Sequence, residues 1–415
     1  MANLKDRLKR IHEQKKNEVL HDVSMPSVNN ITLTNMGWDA CGFNTLKREI
    51  TVDAPFNLQK KLPPSLAIVI PDLAGRSLPE LEDFLFFDLE TTGLSGGAGT
   101  LAFLAAFGKP LSDGKLHVTQ YLLLDYPGES DFLDAVLREF KNENSVIVSY
   151  NGKCFDSQIL KTRCLMNGIR PPEYCHADLL HPARRLWKNI IFDCSQASVE
   201  AQILGIDRSG DTPGSLAPEI WFEFLKTGRT ERLISICDHN CADIKGLASI
   251  LAAMILIACD PLTIKLTIKP AAFHKSKGEH FFDIERLALY WRYFMRKTYK
   301  GDQYDNLQIT GKKLLRLAAE KKCPRAAFVY AQDQLYEGNF SEGRKKLLDI
   351  TEMDFPHNIK ASALRALAVD SERRLKCFKE ALYYSKRGLE LKQAGPFWKT
   401  EFERRIQRLE KKVLC

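Results

Sequence analysis

Asp88 and Glu90 stand two residues apart at the end of the apolar run Phe84, Leu85, Phe86 and Phe87. On a strand, positions i and i+2 face one side, so the two carboxylates project together. Adjacent negative charges are tolerable only if a cation neutralises them or one of them stays protonated. A hard divalent metal is the natural cation. Oxygen-only ligands with open positions suit Mg2+ or Mn2+, a pairing typical of enzymes that act on phosphates. The pair runs into Thr91, Thr92, Gly93, Leu94, Ser95, Gly96, Gly97, Ala98 and Gly99, a loop whose glycines allow close backbone approach to a ligand.

Two further groups carry chemistry. Asn151, Gly152, Lys153, Cys154, Phe155 and Asp156 follow the apolar run Val146 to Tyr150, which places Asp156 between a strand end and a helix start. An acid there can cap the helix or reach a metal, and an α/β site is normally assembled at the carboxyl ends of strands. His239 and Asp243 are four residues apart in a helical pattern, so both lie on one face about a turn apart. A histidine beside a metal-bound carboxylate can take a proton from water, since its ordinary pKa of about 6.5 is near working pH. Cys237 and Cys241 flank His239 in sequence, but on a helix the histidine faces away from both, so ordinary packing is preferred to a zinc site.

Short apolar runs predict the strands that position these groups: Phe84 to Leu89, Leu101 to Phe107, Val118 to Leu124 and Val146 to Tyr150, with a helix around Phe132 to Phe140. Together they predict a mixed α/β sheet. Helices are predicted over Ile159 to Met166, Leu179 to Trp187, Ala197 to Leu204 and Ile234 to Ile257; the last is the most apolar and should be central. Four segments result. Residues 1–78 read as an accessory segment, a short basic helix followed by an extended stretch punctuated by Asn29, Asn30, Gly37, Pro55, Pro63, Pro64 and Pro71. Residues 79–260 form the α/β domain, 261–300 a linker with a connecting helix, and 301–415 a helical domain. In the last, Phe340 and Phe378 hold comparable positions 38 residues apart in successive helix-turn-helix units. That spacing is close to the ~34-residue tetratricopeptide period if the loop from Met353 to Asn358 is an insertion.

The 415 residues, 45% hydrophobic and 27% charged, fit a soluble protein of two or three domains. The longest apolar run, Ile250 to Cys259, is too short for a bilayer, and the first residues lack the apolar core of a signal peptide. Eleven cysteines without a CxxC pair point to reduced thiols. A cytoplasmic location and no membrane partner are expected. Residues 361–415 carry 14 Lys or Arg against 7 Asp or Glu, so they supply +7 of the net charge of +8. Such a surface can contact nucleic-acid phosphates, although a solvated helical face is the commoner origin of such charge.

The order Asp88-Leu89-Glu90, then Asn151-Gly152-Lys153-Cys154-Phe155-Asp156, then His239-Asn240-Cys241-Ala242-Asp243-Ile244 resembles the DnaQ-type, or DEDD, 3′→5′ exonucleases, specifically their bacterial YprB-like branch. The flanking residues are similar too: Gly93 to Leu101, Asp178 to Trp187, Leu204-Gly205, Pro213-Gly214, Trp221 and Thr227-Gly228. The resemblance covers residues from about 80 to 255. It implies an α/β fold with a ribonuclease-H-like mixed sheet and flanking helices, followed by an all-α tetratricopeptide-like helical repeat domain.

By position, the resemblance makes Asp88, Glu90, Asp156 and Asp243 the ligands of two Mg2+ or Mn2+ ions. His239 then stands where relatives carry His or Tyr. The His form lies five residues before the last Asp and the Tyr form four; His239 has the Tyr interval, so it is either the general base or a residue that orients water. Asp178 is expected to cap the helix through Arg184 to Trp187 and to support the site from behind. Thr91, Thr92, Gly93, Gly96, Gly97, Asn151 and Lys153 are candidate contacts to a terminal nucleotide; Arg184 and Arg185 are candidate phosphate contacts, although an exposed helix surface explains them equally well. The implied activity is hydrolysis of phosphodiester bonds in nucleic acid, with DNA, single-stranded or at 3′ ends, in repair or processing as the expected substrate. The repeats would then recruit a protein partner, with a helicase the candidate by family association. Two alternatives remain open: a non-catalytic nucleic-acid-binding scaffold, and an exoribonuclease, since no residue can be assigned to reading a 2′-hydroxyl.

Overall fold

The computed structural model describes residues 29–54, 62–75, 77–93, 99–142, 144–264, 282–298 and 304–414. The expected basic helix at the start of the chain, Gly96 and Gly97 in the glycine loop, and most of the Pro261 to Gly278 connection lie outside the described residues.

The chain opens with helix α1 (Asn29–Asn35), strands β1 (Trp38–Gly42) and β2 (Thr45–Asp53) and the short helix α2 (Leu66–Val69). Strands β3 (Phe84–Thr91), β4 (Ala102–Pro110) and β5 (Lys115–Leu123) follow, then helix α3 (Glu129–Leu137), β6 (Val146–Ser149), α4 (Asp156–Met166) and β7 (Cys175–Asp178). All seven strands join one sheet in the order β1-β2-β5-β4-β3-β6-β7. From β1 to β3 each neighbour is antiparallel, whereas β3-β6 and β6-β7 are parallel. This is the mixed sheet expected from the apolar runs, with β3 at the junction of its two halves.

One segment departs from expectation. Residues 38–53, expected within an extended accessory segment, form two strands of the sheet, with β2 paired to β5 from Thr45 opposite Leu123 to Asp53 opposite Lys115. The apolar residues of β2, Leu46, Ile50 and Val52, alternate with exposed polar ones, and Arg48 interrupts their face. The pattern is that of a strand buried on one side only, which reads weakly in sequence.

With α3 and α4, further helices cover the sheet: α5 (Leu180–Trp187), α6 (Gln196–Val199) running into a π-helical turn (Glu200–Leu204), α7 (Ala217–Thr227) and the 29-residue α8 (Glu231–Cys259). Strand β3 feeds two cores by alternation. Phe84 and Phe86 join Ile244, Leu247 and Leu251 of α8 on one face, while Leu85, Phe87 and Leu89 join Phe132, Ile159 and Trp221 on the other. Because both faces are covered, the strand reads as one continuous apolar run. Asp88 and Glu90 continue the face that looks toward α8, and a bulge between Glu90 and Thr91 ends regular pairing there.

Helix α8 is long and apolar enough to cross a membrane by length and composition, yet most of its residues are buried within the protein. It lies so close to β4 that a Cβ on Gly108 would stand 2.4 Å from Ile244 Cγ2. Helix α9 (Ile284–Thr298), expected only as a connecting helix, puts Leu287, Trp291, Phe294 and Met295 into the same core as α8.

Beyond it, α10 (Asp305–Glu320), α11 (Pro324–Tyr336), α12 (Phe340–Glu352), α13 (His357–Arg373), α14 (Phe378–Glu390) and α15 (Pro396–Leu414) form the helical region. Phe340 and Phe378 open α12 and α14, and each follows a left-handed turn residue, Gly338 (φ 89°) or Lys376 (φ 55°). A cation covers each ring: Arg374 at 4.2 Å from the Phe340 centroid and Lys412 at 5.2 Å from that of Phe378. Many of the basic residues counted above are held by acids of this region. Arg405, Arg408 and Lys412 converge on the buried Glu372, Arg374 pairs with Asp370, Arg365 with Glu401 and Arg387 with Glu352.

Gly108→Ala tests the closeness of α8. Overpacking of a core typically costs about 1–3 kcal/mol, and chemical denaturation should show a loss of that size; unchanged stability would contradict the approach of Ile244 to β4.

Candidate active site

The carboxyl end of β3 meets the first half of α8 and the start of α4, and these elements bring the acids together. Asp88 sits within the field of Glu90, Asp156 and Asp243, and Glu90 within that of Asp243, Asp156 and Asp211. Burial, reinforced by these like charges, holds the Asp88 and Glu90 carboxyls well above their ordinary range. Asp156, also buried, is pushed up to about 7, chiefly by burial and then by Asp178 and Asp243. The carboxylate of Glu90 accepts no hydrogen bond among the described residues and is 9% exposed. A buried, unpaired carboxylate is costly without a cation or a proton.

His239 and Asp243 share a face of α8, with Nε2 of the histidine 3.3 Å from Asp243 Oδ2. One ligand atom each from Glu90, His239 and Asp243 lies within 4.8 Å of the other two. Cys237 and Cys241 point into the cores instead. The carboxylate oxygens gathered here fit a hard divalent ion, whereas an imidazole nitrogen suits softer metals.

The approach to Asp156 depends on Gly152. A Cβ there would stand 2.4 Å from Ser149 Oγ and 2.9 Å from Asp156 Oδ2, so only glycine lets the loop cross this closely. Asp178, at the end of β7, accepts from the backbone N–H of Asn151 (2.8 Å), Lys153 (3.1 Å) and Leu180 (3.0 Å). It thereby ties the loop before Asp156 to the start of α5. Behind Asp156, His176 bonds Ser149 (2.7 Å) and Ser157 (3.3 Å), and burial lowers its pKa to about 4, so it is neutral.

The candidate nucleotide contacts divide. The Thr91 hydroxyl donates to Gly93 O, while the backbone N–H of Thr92 donates to Leu101 O and its hydroxyl accepts from Leu101 N–H. These groups close the β3-β4 turn and are engaged within it. The Lys153 ammonium is 2.6 Å from Asp72. Arg185 donates to Val69 O and lies over the Tyr290 ring at 3.7 Å, whereas Arg184 is exposed. Asn151, exposed in a left-handed conformation (φ 66°), keeps its side-chain amide open among the described residues.

Three neighbours of these side chains were given no role from the sequence. Asp211 Oδ2 is 2.8 Å from His239 Nδ1, which turns Nε2 toward Glu90 and Asp243. Arg208 donates to Asp243 Oδ1 at 2.5 Å, and its Nε lies 2.6 Å from the buried Glu200, carried by the π-helical turn. Gly214 passes where a Cβ would be 2.8 Å from His239 Nε2. Pairings across 28 to 35 residues leave no spacing signal; only the Pro213-Gly214 match in the resemblance marked this loop.

Residues 85–255 match the RNase_H_2 family model, described as RNase_H superfamily. The α/β domain is thus ribonuclease-H-like in sequence and in sheet. A curated relative, the uncharacterized protein YprB of Bacillus subtilis (strain 168), is 42% identical over 173 residues, 40% of this chain and 41% of that protein. The chain therefore spans about two-fifths of the relative's length. Solved structures with some similarity include a family B DNA polymerase from the hyperthermophilic archaeon Pyrobaculum calidifontis, at 16% identity and TM-score 0.32, covering 51% of this chain and 29% of that one. Another is the zinc-bound E. coli ExoI-ssDNA complex, at 15% identity and TM-score 0.27, covering 79% of this chain and 94% of that one.

Carboxyls whose pKa is raised by folding keep protons that the unfolded chain has released above about pH 4. Stability therefore falls as pH rises toward and through their folded values. His176 works oppositely: its lowered pKa costs stability only below its unfolded pKa of about 6.5. In chelator, the melting temperature should thus fall between pH 7 and 8.5, and Asp88→Asn or added Mn2+ should reduce the fall. A melting temperature that rises over this interval would refute the buried acid cluster.

Proposed function

We propose that this protein is a metal-dependent 3′→5′ exonuclease of the DnaQ or DEDD type, YprB-like, which hydrolyses phosphodiester bonds of DNA at single strands or 3′ ends in repair or processing. The observation that carries the reading is Glu90, a buried carboxylate that accepts no hydrogen bond among the described residues, grouped with Asp88, Asp156, Asp243 and His239. The ribonuclease-H-like domain supports nuclease chemistry.

Asp88, Glu90, Asp156 and Asp243 would hold two Mg2+ or Mn2+ ions. When bound, such ions lower the pKa of water and neutralise charge on the phosphate and the departing 3′ oxygen. The protein's own groups do the rest. Asp211 accepts from Nδ1–H of His239, leaving Nε2 with a lone pair to take the proton of the attacking water. Arg208 fixes Asp243 through one oxygen and leaves the other toward the histidine. The open amide of Asn151 is suited to a sugar or phosphate, contacts that sequence-independent trimming needs more than base readout.

The helical region, with its equivalent Phe340 and Phe378, is read as degenerate tetratricopeptide-like repeats that offer a surface to a protein partner, a helicase being the candidate. The location proposed is cytoplasmic.

The test is incubation with Mg2+ or Mn2+ and 5′-labelled single-stranded DNA, duplex DNA or RNA. A ladder shortening from the 3′ end is expected on DNA. Asp88→Ala should abolish it, and His239→Ala should slow it by about 10²–10⁴-fold, the usual worth of a general base. Full activity in Asp88→Ala would defeat the assignment, faster trimming of RNA would make the enzyme an exoribonuclease, and no cleavage of any substrate would leave a binding scaffold.

A further inference from the structure

Asp88 is held by a chain of side chains that begins on β2, in the stretch expected only as an accessory segment. Arg48 donates to Gln120 Oε1 from both Nε (3.1 Å) and Nη2 (2.7 Å). Gln120 Nε2 donates to Cys237 O (2.7 Å) and to Asn240 Oδ1 (3.0 Å). Asn240 Nδ2 donates to Asp88 Oδ2 at 2.7 Å. Gln120 and Asn240 are wholly buried, and the Arg48 side chain is 7% exposed, held also by Asp238 (3.2 Å) and the Trp38 ring (5.0 Å).

The order of donors in this chain is not arbitrary. A carboxamide can be turned over at little steric cost, so its surroundings decide which end donates. Arginine has donors only. Facing Arg48, Gln120 must present its oxygen; its NH2 then faces Asn240, which must present its own oxygen and turn its NH2 toward Asp88. A reversed Asn240 would set a carbonyl oxygen against a carboxylate.

We infer that Arg48 and Gln120 are positioning residues that fix the polarity of the Asn240 amide, so that Asp88 is oriented through Oδ2 and keeps Oδ1 for a divalent metal ion. This rests on the reading of Asp88 as a metal ligand. Outer partners of this kind typically govern metal affinity by about 10- to 100-fold.

The test is calorimetric titration of the full chain with Mn2+, after melting curves show each variant folded. Gln120→Glu still accepts from Arg48 but cannot donate to Asn240, and Arg48→Met leaves the buried Gln120 oxygen without its donor, so that only the Cys237 carbonyl still orients the amide; both should weaken Mn2+ binding by about 10-fold or more. Arg48→Lys, again a donor only, should restore affinity near that of the wild type. Wild-type affinity in Gln120→Glu, or equal losses in Arg48→Lys and Arg48→Met, would overturn the inference. Should the variants fail to fold, wild-type protein labelled with 15N-asparagine decides it. The Asn240 side-chain amide pair must shift as Mg2+ saturates the site, and its constancy would overturn the inference. Wild-type protein that binds no Mn2+ would instead remove the metal reading, and this inference with it.

Discussion

The mutual repulsion of buried carboxylates is the constraint on which this structure turns. Asp88, Glu90 and Asp156 are held above their ordinary range by burial first and then by neighbouring acids, with Asp243 acting on all three. Such a cluster opposes folding unless protons or cations relieve it. The domain does not disperse these charges; it restrains them one at a time. Asp88 receives an amide from Asn240, Asp243 a guanidinium from Arg208, and Asp178 three backbone N–H groups. Glu90 accepts no hydrogen bond among the described residues, at the place where Asp243 and His239 also offer ligand atoms.

The scaffold explains how so much polar material is tolerated inside. Strand β3 is anchored on both faces, by α8 on one side and by α3, α4 and α7 on the other, so its position does not depend on the charges at its end. Helix α8 serves both purposes: its later turns are apolar core, while its earlier turns carry Asp238, His239, Asn240 and Asp243 past the end of the sheet. Close approaches set the distances. Gly108 lets α8 settle on β4, Gly152 lets the loop cross Asp156, and Gly214 lets a distant loop reach His239. A π-helical turn, often found at functional sites, carries Glu200 against Arg208.

The antiparallel edge of the sheet is part of the site's support. β1 and β2 lie far from the acids in strand order, yet Arg48 reaches through Gln120 to Asn240. Rigid placement of a first layer of ligands by a second, hydrogen-bonded layer is a general requirement of metal sites. Here the hydrogen bonds around the acids draw on strands from both ends of the sheet.

The sequence by itself determined the strands with both faces buried, the central apolar helix, the paired helices of the last third and the three acidic motifs. All of these rest on local periodicity or on spacings of two to six residues, which the backbone converts directly into a shared face or a shared strand end. Tertiary structure alone decided the rest. It turned residues 38–53 into sheet strands, because the strand whose backbone pairs with β2 is β5, more than sixty residues away. It engaged Thr91, Thr92, Lys153 and Arg185 in bonds of their own, and it brought Arg208, Asp211 and the Arg48-Gln120-Asn240 chain to the acids. The contacts of Arg208, Asp211 and the Arg48-Gln120-Asn240 chain join residues 28 to 152 positions apart, and no one-dimensional pattern records which charge a fold will place beside another.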